Sequence, residues 1–345
     1  MLILWIFYKM LIKGHLKSNK TDILVQEYAK LLNGGAVSGE ILVIVQNFKK
    51  RAEFIEKTKA LLKLDALTSF NVYTFFGLVY NSILDNWVII ENKIKNNNAK
   101  ISPNLSGLEV SQYIFRKAID EVQFRGYNSK GNLLHQLLRR YSLCVLNALT
   151  ADEIKEKAKI LSDPFYSDIK NALNLYKLKT LNLRAFDYLR QTDIFKFVYE
   201  NTVNPYKYVI LDDADEITPA LFEYLKFIKK DVNQFFIAFD EFGCTRKGFL
   251  GALEFDFERF LDETPVFVTA DDVKTKKGDE IFHSVKKGES VLIENSTKQS
   301  FIRQDEMITE TVRRINELLS DPKNKLKPSD IAIVTPNIDD YLKFQ

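Results

Sequence analysis

The segment that most constrains the fold is Tyr208-Val209-Ile210-Leu211, followed at once by Asp212-Asp213-Ala214-Asp215-Glu216. Four apolar residues, two of them β-branched, read as a strand buried on both faces, as in a parallel sheet covered by helices. The carboxylates that follow leave the sheet at its carboxyl end. Acids at that point suit Mg²⁺ held beside a bound triphosphate. They equally suit the first turn of a helix, where negative charge meets the helix dipole. Other parts of the chain have to decide between these readings.

Similar short apolar runs recur. Met10-Leu11-Ile12, Glu40 to Asn47, Phe70 to Tyr73, Gln234 to Phe239 and Val266 to Val268 are expected as strands, with Ser290 to Ile293 and Asp330 to Val334 after them. Helical spacing separates many of them. Ile23, Leu24, Tyr28, Leu31 and Leu32 precede Gly34-Gly35, and further helices are expected over Phe48 to Leu62, Gly77 to Trp87, Thr218-Pro219 to Lys229-Lys230 and Gln304 to Leu319. Strands alternating with helices predict βαβ units and an α/β fold. From about Asn96 to Asp193 no strand is evident, only helical runs punctuated by Pro103-Asn104, Gly126-Tyr127-Asn128 and Asp163-Pro164. That stretch is expected as an all-helical insertion.

Composition removes several function classes. A net charge of +3 over 345 residues is no uniformly basic nucleic-acid coat, so any such surface is local. Cys144 and Cys244 lack metal-ligand spacing and are too few for a disulfide scaffold, and His15, His135 and His283 are scattered. A reducing cytoplasm is the expected compartment. The apolar start, Met1 to Ile12, falls short of the ~20 residues a membrane helix needs and lacks a basic n-region and a small-residue cleavage site. No membrane partner is expected, and Met10-Leu11-Ile12 is expected to end a buried strand.

Gly14-His15-Leu16-Lys17-Ser18-Asn19-Lys20-Thr21 fits the phosphate-loop pattern G-x-x-x-x-G-K-[ST], except that Asn19 stands at the second glycine. In such a loop, backbone N–H groups around Gly14, Ser18 and Asn19 wrap phosphates, Lys20 reaches their oxygens and the Thr21 hydroxyl ligates Mg²⁺. Asparagine tolerates a left-handed backbone, so the loop survives the exchange. A Lys-Thr pair opening a helix also reads as a solvated cap.

Taken in order, these pieces resemble the UvrD/Rep/PcrA-type branch of superfamily 1 DNA helicases from Ile12 onward. Gly14 to Thr21 is similar to the first motif, and Ile41 to Val45 with Gln46-Asn47-Phe48-Lys49-Lys50 to the next, which touches single-stranded DNA. Val72-Tyr73-Thr74-Phe75-Phe76 resembles a further DNA-channel element, and Phe186-Asp187-Tyr188-Leu189 the stretch closing the helical subdomain. Asp212 to Glu216 stands where the family has Asp-Glu-x-Gln-Asp. Phe239-Asp240 through Arg246 to Ala252 resembles the sensor element, and Asp330 to Val334 the strand opening the second ATPase lobe.

The resemblance implies a RecA-like P-loop NTPase parallel sheet with an inserted all-helical subdomain. Its divisions would be residues 1–95 and 194–265 for the two parts of the first lobe, 96–193 for the insertion, and 266–345 for the lobe's remainder and the start of a truncated second lobe. It implies ATP and Mg²⁺ as cofactors and DNA, single-stranded or partly duplex, as partner, with a second lobe or repair proteins alongside. Lys20 would neutralise phosphates, Thr21 and Asp212 would hold Mg²⁺, Asp213 would orient or deprotonate water, and Asp240 would sense the γ-phosphate.

This sequence also departs from the family. Asp213 replaces a glutamate, Gly243 stands at a sensing glutamine, and Pro336 at an arginine that Arg246 would have to replace. The adenine-reading segment and the final arginine-bearing motifs are missing. A fragment of a longer motor and a degenerate module that binds without turnover are both expected possibilities.

DNA contact is expected at Asn47, Thr74, Phe75 and Phe76, and at Arg125, Lys130, Arg139 and Arg140, where Phe124, Tyr127 and Tyr141 are interleaved for stacking. The basic group equally reads as a solvated helix face, and Phe75 as core. Two rivals come from other classes. A small-molecule kinase would carry a lid with paired arginines, which the sequence lacks, and a purely structural interaction module draws support from the eroded catalytic set.

Overall fold

The computed structural model describes residues 9–14, 18–63, 70–94, 102–122, 124, 130–240, 243, 252, 255–261, 266–270, 281, 284, 287–290 and 297–334. The chain divides into two compact units, Met1–His283 and Ser284–Gln345.

In the first unit, β1 (Lys9–Gly14), α1 (Lys20–Asn33), β2 (Ile41–Ile44), α2 (Phe48–Leu62), β3 (Val72–Tyr73) and α3 (Phe75–Asp85) alternate as expected, and a further helix, α4 (Trp87–Ile94), follows α3 directly beyond the expected end at Trp87. Then come β4 (Asn104–Leu105), α5 (Leu108–Val122), α6 (Lys130–Leu146), α7 (Ala151–Ile160), α8 (Tyr166–Leu183), β5 (Ala185–Phe186) and α9 (Tyr188–Glu200). β6 (Tyr208–Leu211), α10 (Pro219–Ile228), β7 (Gln234–Asp240), α11 (Phe257–Leu261) and β8 (Val266–Thr269) complete it.

Six strands form one sheet in the order β3-β2-β6-β7-β1-β8, and every pairing is parallel. Alternate side chains of each strand go to opposite faces. Ile12, Ile41, Val43, Ile210, Phe236 and Ala238 join Leu24, Tyr28 and Phe54 of α1 and α2 in one core. Leu11, Leu42, Ile44, Val209, Leu211 and Ile237 join α3, α9, α10 and α11 in the other. Helices thus cover both faces, which is why the central strands are apolar throughout rather than alternating. α1 carries the chain from β1 across β7 and β6 to β2, whereas α10 carries it from β6 to β7 in the opposite sense. Such a reversal opens a crevice at the carboxyl ends of the strands.

α5, α6 and α8 pack around a third core of Phe115, Leu134, Leu137, Tyr141 and Tyr176. The expectation that residues 96–193 lack strands needs correction, because β4 and β5 form a two-stranded parallel ladder where the chain enters and leaves these helices. Two residues carry no legible period, so only their long-range pairing identifies them. The two elements are tied by more than that ladder. Glu91 of α4, fully buried, pairs with Arg184 beside β5 (Nη2 to Oε1 2.6 Å).

In the second unit, α12 (Gln304–Ser320) forms as expected. Ile331 to Val334 is not a strand: these residues follow a short 3-10 turn at Pro328–Asp330, and no described strand lies beside them. An apolar run makes a strand only when a neighbour completes its ladder. The strand expected at Ser290 to Ile293 lies largely outside the described residues. No described helix is long and apolar enough to cross a membrane.

Candidate functional site

The carboxyl ends of β1, β6 and β7 converge on one cluster of charge. β1 ends at Gly14, in register with Asp240 at the end of β7, and β6 delivers Asp212 one residue past its last rung. A Cβ on Gly14 would overlap the Ser18 hydroxyl and come within 2.9 Å of the Ala270 methyl, so the backbone turns here with no space for a side chain. Residues 15–17 lie outside the described residues. The chain resumes at Ser18 and opens α1 with Lys20.

Thr21 and Asp212, 191 positions apart, meet directly: the Thr21 hydroxyl donates to Asp212 Oδ2 at 2.8 Å, both residues being buried. Asp212 Oδ1 accepts from the Asp213 backbone N–H at 3.1 Å. Lys20 folds back over the turn, its Nζ 3.2 Å from both Gly14 O and Ser18 Oγ and 3.9 Å from Asp240 Oδ2. Asn19 caps α1 at φ −78°, so the left-handed tolerance expected of asparagine is not drawn on. Asp213 is the residue that adopts that conformation (φ 50°, ψ 49°), turning the chain into the short 3-10 turn Ala214–Glu216.

Electrostatics set the acids apart. Burial raises the Asp212 pKa, opposed by the Thr21 hydrogen bond and the positive charge of Lys50. Asp213 is pushed up to about 7, first by burial and then by the adjacent Asp212 charge, with Lys50 and Lys20 acting against the rise. Lys50, on the first turn of α2, therefore faces the acids, a role its basic neighbours Lys49 and Arg51 concealed in the sequence. Asp215 does different work, accepting the Asp240 backbone N–H at 2.7 Å. It also occupies the space beside Gly243, where an added Cβ would overlap its carboxylate. The glycine is thus a steric necessity here, and its position three residues past Asp240 was the only sequence signal of the close approach.

A cavity of about 60 Å³ adjoins the acids, lined by Gln46, Thr74, Phe75, Phe76, Asp212, Asp213 and Thr218 among others. It brings three residues expected to contact DNA beside the acidic pair. Thr74 caps α3 through Gly77 N–H (3.1 Å), and Phe75 is buried against Phe195 at 6.2 Å between ring centroids. Phe76, half-buried, meets Tyr188 edge-on at 5.3 Å. Asn47 is exposed and caps α2 by accepting from Lys50 N–H at 3.0 Å.

The basic group of the helical region lies elsewhere. Arg139 and Arg140 are exposed on α6, Arg140 paired with Asp163, and Lys130 opens that helix. Tyr141, expected to stack, is buried and donates its hydroxyl to Asp193 at 3.1 Å. Arg125 and Arg246 lie outside the described residues.

A hydroxyl and a carboxylate are hard oxygen donors of the kind that Mg²⁺ prefers. Among the described residues no group of three or more His, Cys, Asp or Glu side chains is placed to hold a metal ion. Comparison with protein-family models gives no match to this chain, and comparison with curated proteins gives none either.

Proposed function

We propose that this chain is an ATP-binding lobe of the superfamily 1 helicase type, with a RecA-like sheet, a phosphate loop at Gly14 to Thr21 and a helical subdomain inserted before β6. The observation that carries the reading is the 2.8 Å contact between Thr21 Oγ1 and Asp212 Oδ2, with Lys20 beside it at the sheet's carboxyl edge. A lysine, a hydroxyl and a carboxylate converging there are the parts phosphoryl transfer needs. Mg²⁺, when bound, would neutralise charge on the phosphates. Lys20 binds phosphate oxygens, Thr21 and Asp212 hold the ion, and Asp213 orients water and takes its proton. A carboxylate poised near neutrality suits that last role. Asp240, joined to Lys20 and supported by Asp215, would link nucleotide state to the strand ends. Single-stranded DNA would run past Asn47 and the Thr74-Phe75-Phe76 segment, in a cytoplasmic repair setting.

Binding without turnover is the second reading. It is favoured by Asp213, one methylene shorter than the family's glutamate, and by the Asp215 carboxylate filling the space a sensing side chain at 243 would need. A displacement of ~1 Å at a catalytic group can cost ~10²-fold in rate.

Titration with a fluorescent ATP analogue, with and without Mg²⁺, and hydrolysis assays with and without an oligo-dT strand test both. Mg²⁺-dependent binding that Lys20→Ala weakens by roughly 10–10²-fold is expected. DNA-stimulated hydrolysis favours the motor, and binding alone favours the second reading. A folded protein that binds no nucleotide refutes both.

A further inference from the structure

A cavity of about 680 Å³ lies among α6, α7, α8 and α9. That is the size of a small-molecule site. One wall is α7, a helix firmly specified at its start by a capping box between Thr150 and Glu153, yet with no buried residue. Ile154 and Ala158 of α7, with Leu161 just past its end, fall at i, i+4 and i+7 and all line the cavity. Ile169 and Leu173 of α8 and Phe195 of α9 line it too. Apolar faces that would normally interlock are therefore held apart.

Charge at this cavity has one dominant sign. Six basic side chains line it against three acidic ones. Asp163 is engaged by Arg140, and Asp193 by Lys177 at 2.9 Å and by Arg190. Lys155 and Lys170, one on each side, are exposed and form no ion pair among the described residues. An apolar interior with unneutralised lysines on its rim selects a molecule with an apolar body and an anionic head.

We infer that the gap between α7 and α8 is a binding site for an amphipathic anion, of the class of a medium-chain carboxylate. The carboxylate sits at Lys155 and Lys170, and the chain lies between Ile154, Ala158 and Leu161 on one side and Ile169 and Leu173 on the other. The volume lies within the range of small-molecule sites, and the lysines at the rim match an anionic head on an apolar chain.

The probe is 1-anilinonaphthalene-8-sulfonate, an anion with an apolar ring system, titrated into the full chain. Saturable binding at one site is expected, displaced by dodecanoate and not by dodecyltrimethylammonium. Ala158→Trp, which fills the gap, and the pair Lys155→Glu with Lys170→Glu should each weaken binding at least tenfold while circular dichroism stays unchanged. Should the tryptophan variant misfold, Cys144, which also lines the cavity, gives a second measurement. Dodecanoate should slow its alkylation, read by peptide mapping. Unchanged affinity in the variants, equal displacement by the cationic amphiphile, displacement only by an acidic peptide, or no protection of Cys144 would each overturn the inference.

Discussion

The sheet's carboxyl edge and the α6–α9 bundle treat empty space in opposite ways. At the sheet edge, side chains pack so closely that Gly14 and Gly243 have no room for a Cβ, and only about 60 Å³ remains beside the acids. In the bundle about 680 Å³ stays open below a helix that buries nothing. The difference follows from how each is built. A central parallel strand is gripped on two edges by ladders and on two faces by helices, so its end is fixed in three dimensions. α7 is held by its cap and its two connections. Geometry is closely fixed at the first place and left loose at the second.

The junction between these regions should give the largest effect. Glu91→Leu leaves Arg184 without its buried partner, and a loss of about 3–5 kcal/mol is expected in denaturant unfolding. Adding Arg184→Met should recover most of it, which a double-mutant cycle would show. If the single variant is neutral, the sheet and bundle are not joined through this pair.

Gly243→Ala probes the tight end. Its methyl would come within 2.6 Å of Asp215 Cβ, so a cost of about 1–3 kcal/mol is expected by the same measurement. No loss would mean that Asp215 yields easily and that the edge is looser than described.

The third test uses pH on cation-free protein. Asp213 binds its proton more tightly folded than unfolded, its pKa being raised from 3.8 to about 7. Its contribution to stability is therefore full below about pH 4 and declines as pH rises through 7. The melting temperature of Asp213→Asn minus that of wild type should grow by a few degrees over this window and then level off. A difference independent of pH would remove the electrostatic account of the acids.

Smallest of all, Leu161→Ala should change stability by less than about 0.5 kcal/mol, because this leucine is exposed. A core-sized loss would mean that α7 packs shut in solution.

The sheet was legible because its strands are apolar throughout and its helices keep a clear period. The convergence of Thr21 on Asp212 was legible too, as two short patterns at the ends of expected strands. What escaped was whatever depends on distant neighbours. Nothing local marks Asn104–Leu105 as a strand or denies that status to Ile331 to Val334. Tyr141 beside Arg139 and Arg140 looked available to stack, and only the third core and Asp193 show where its ring goes. Asp215 read as one acid among four until its hydrogen bond to the end of β7 gave it a separate task.

β6 sits in the interior of the sheet, between β2 and β7. During synthesis, β1, β2 and α1 emerge long before it. The 191 positions separating Thr21 from Asp212 take roughly 10–40 s to translate at ordinary ribosomal speeds. Until β6 is made, β2 lacks the strand it pairs with on one edge. Slowing translation between α4 and α9 should therefore raise the aggregated fraction without altering the finished protein.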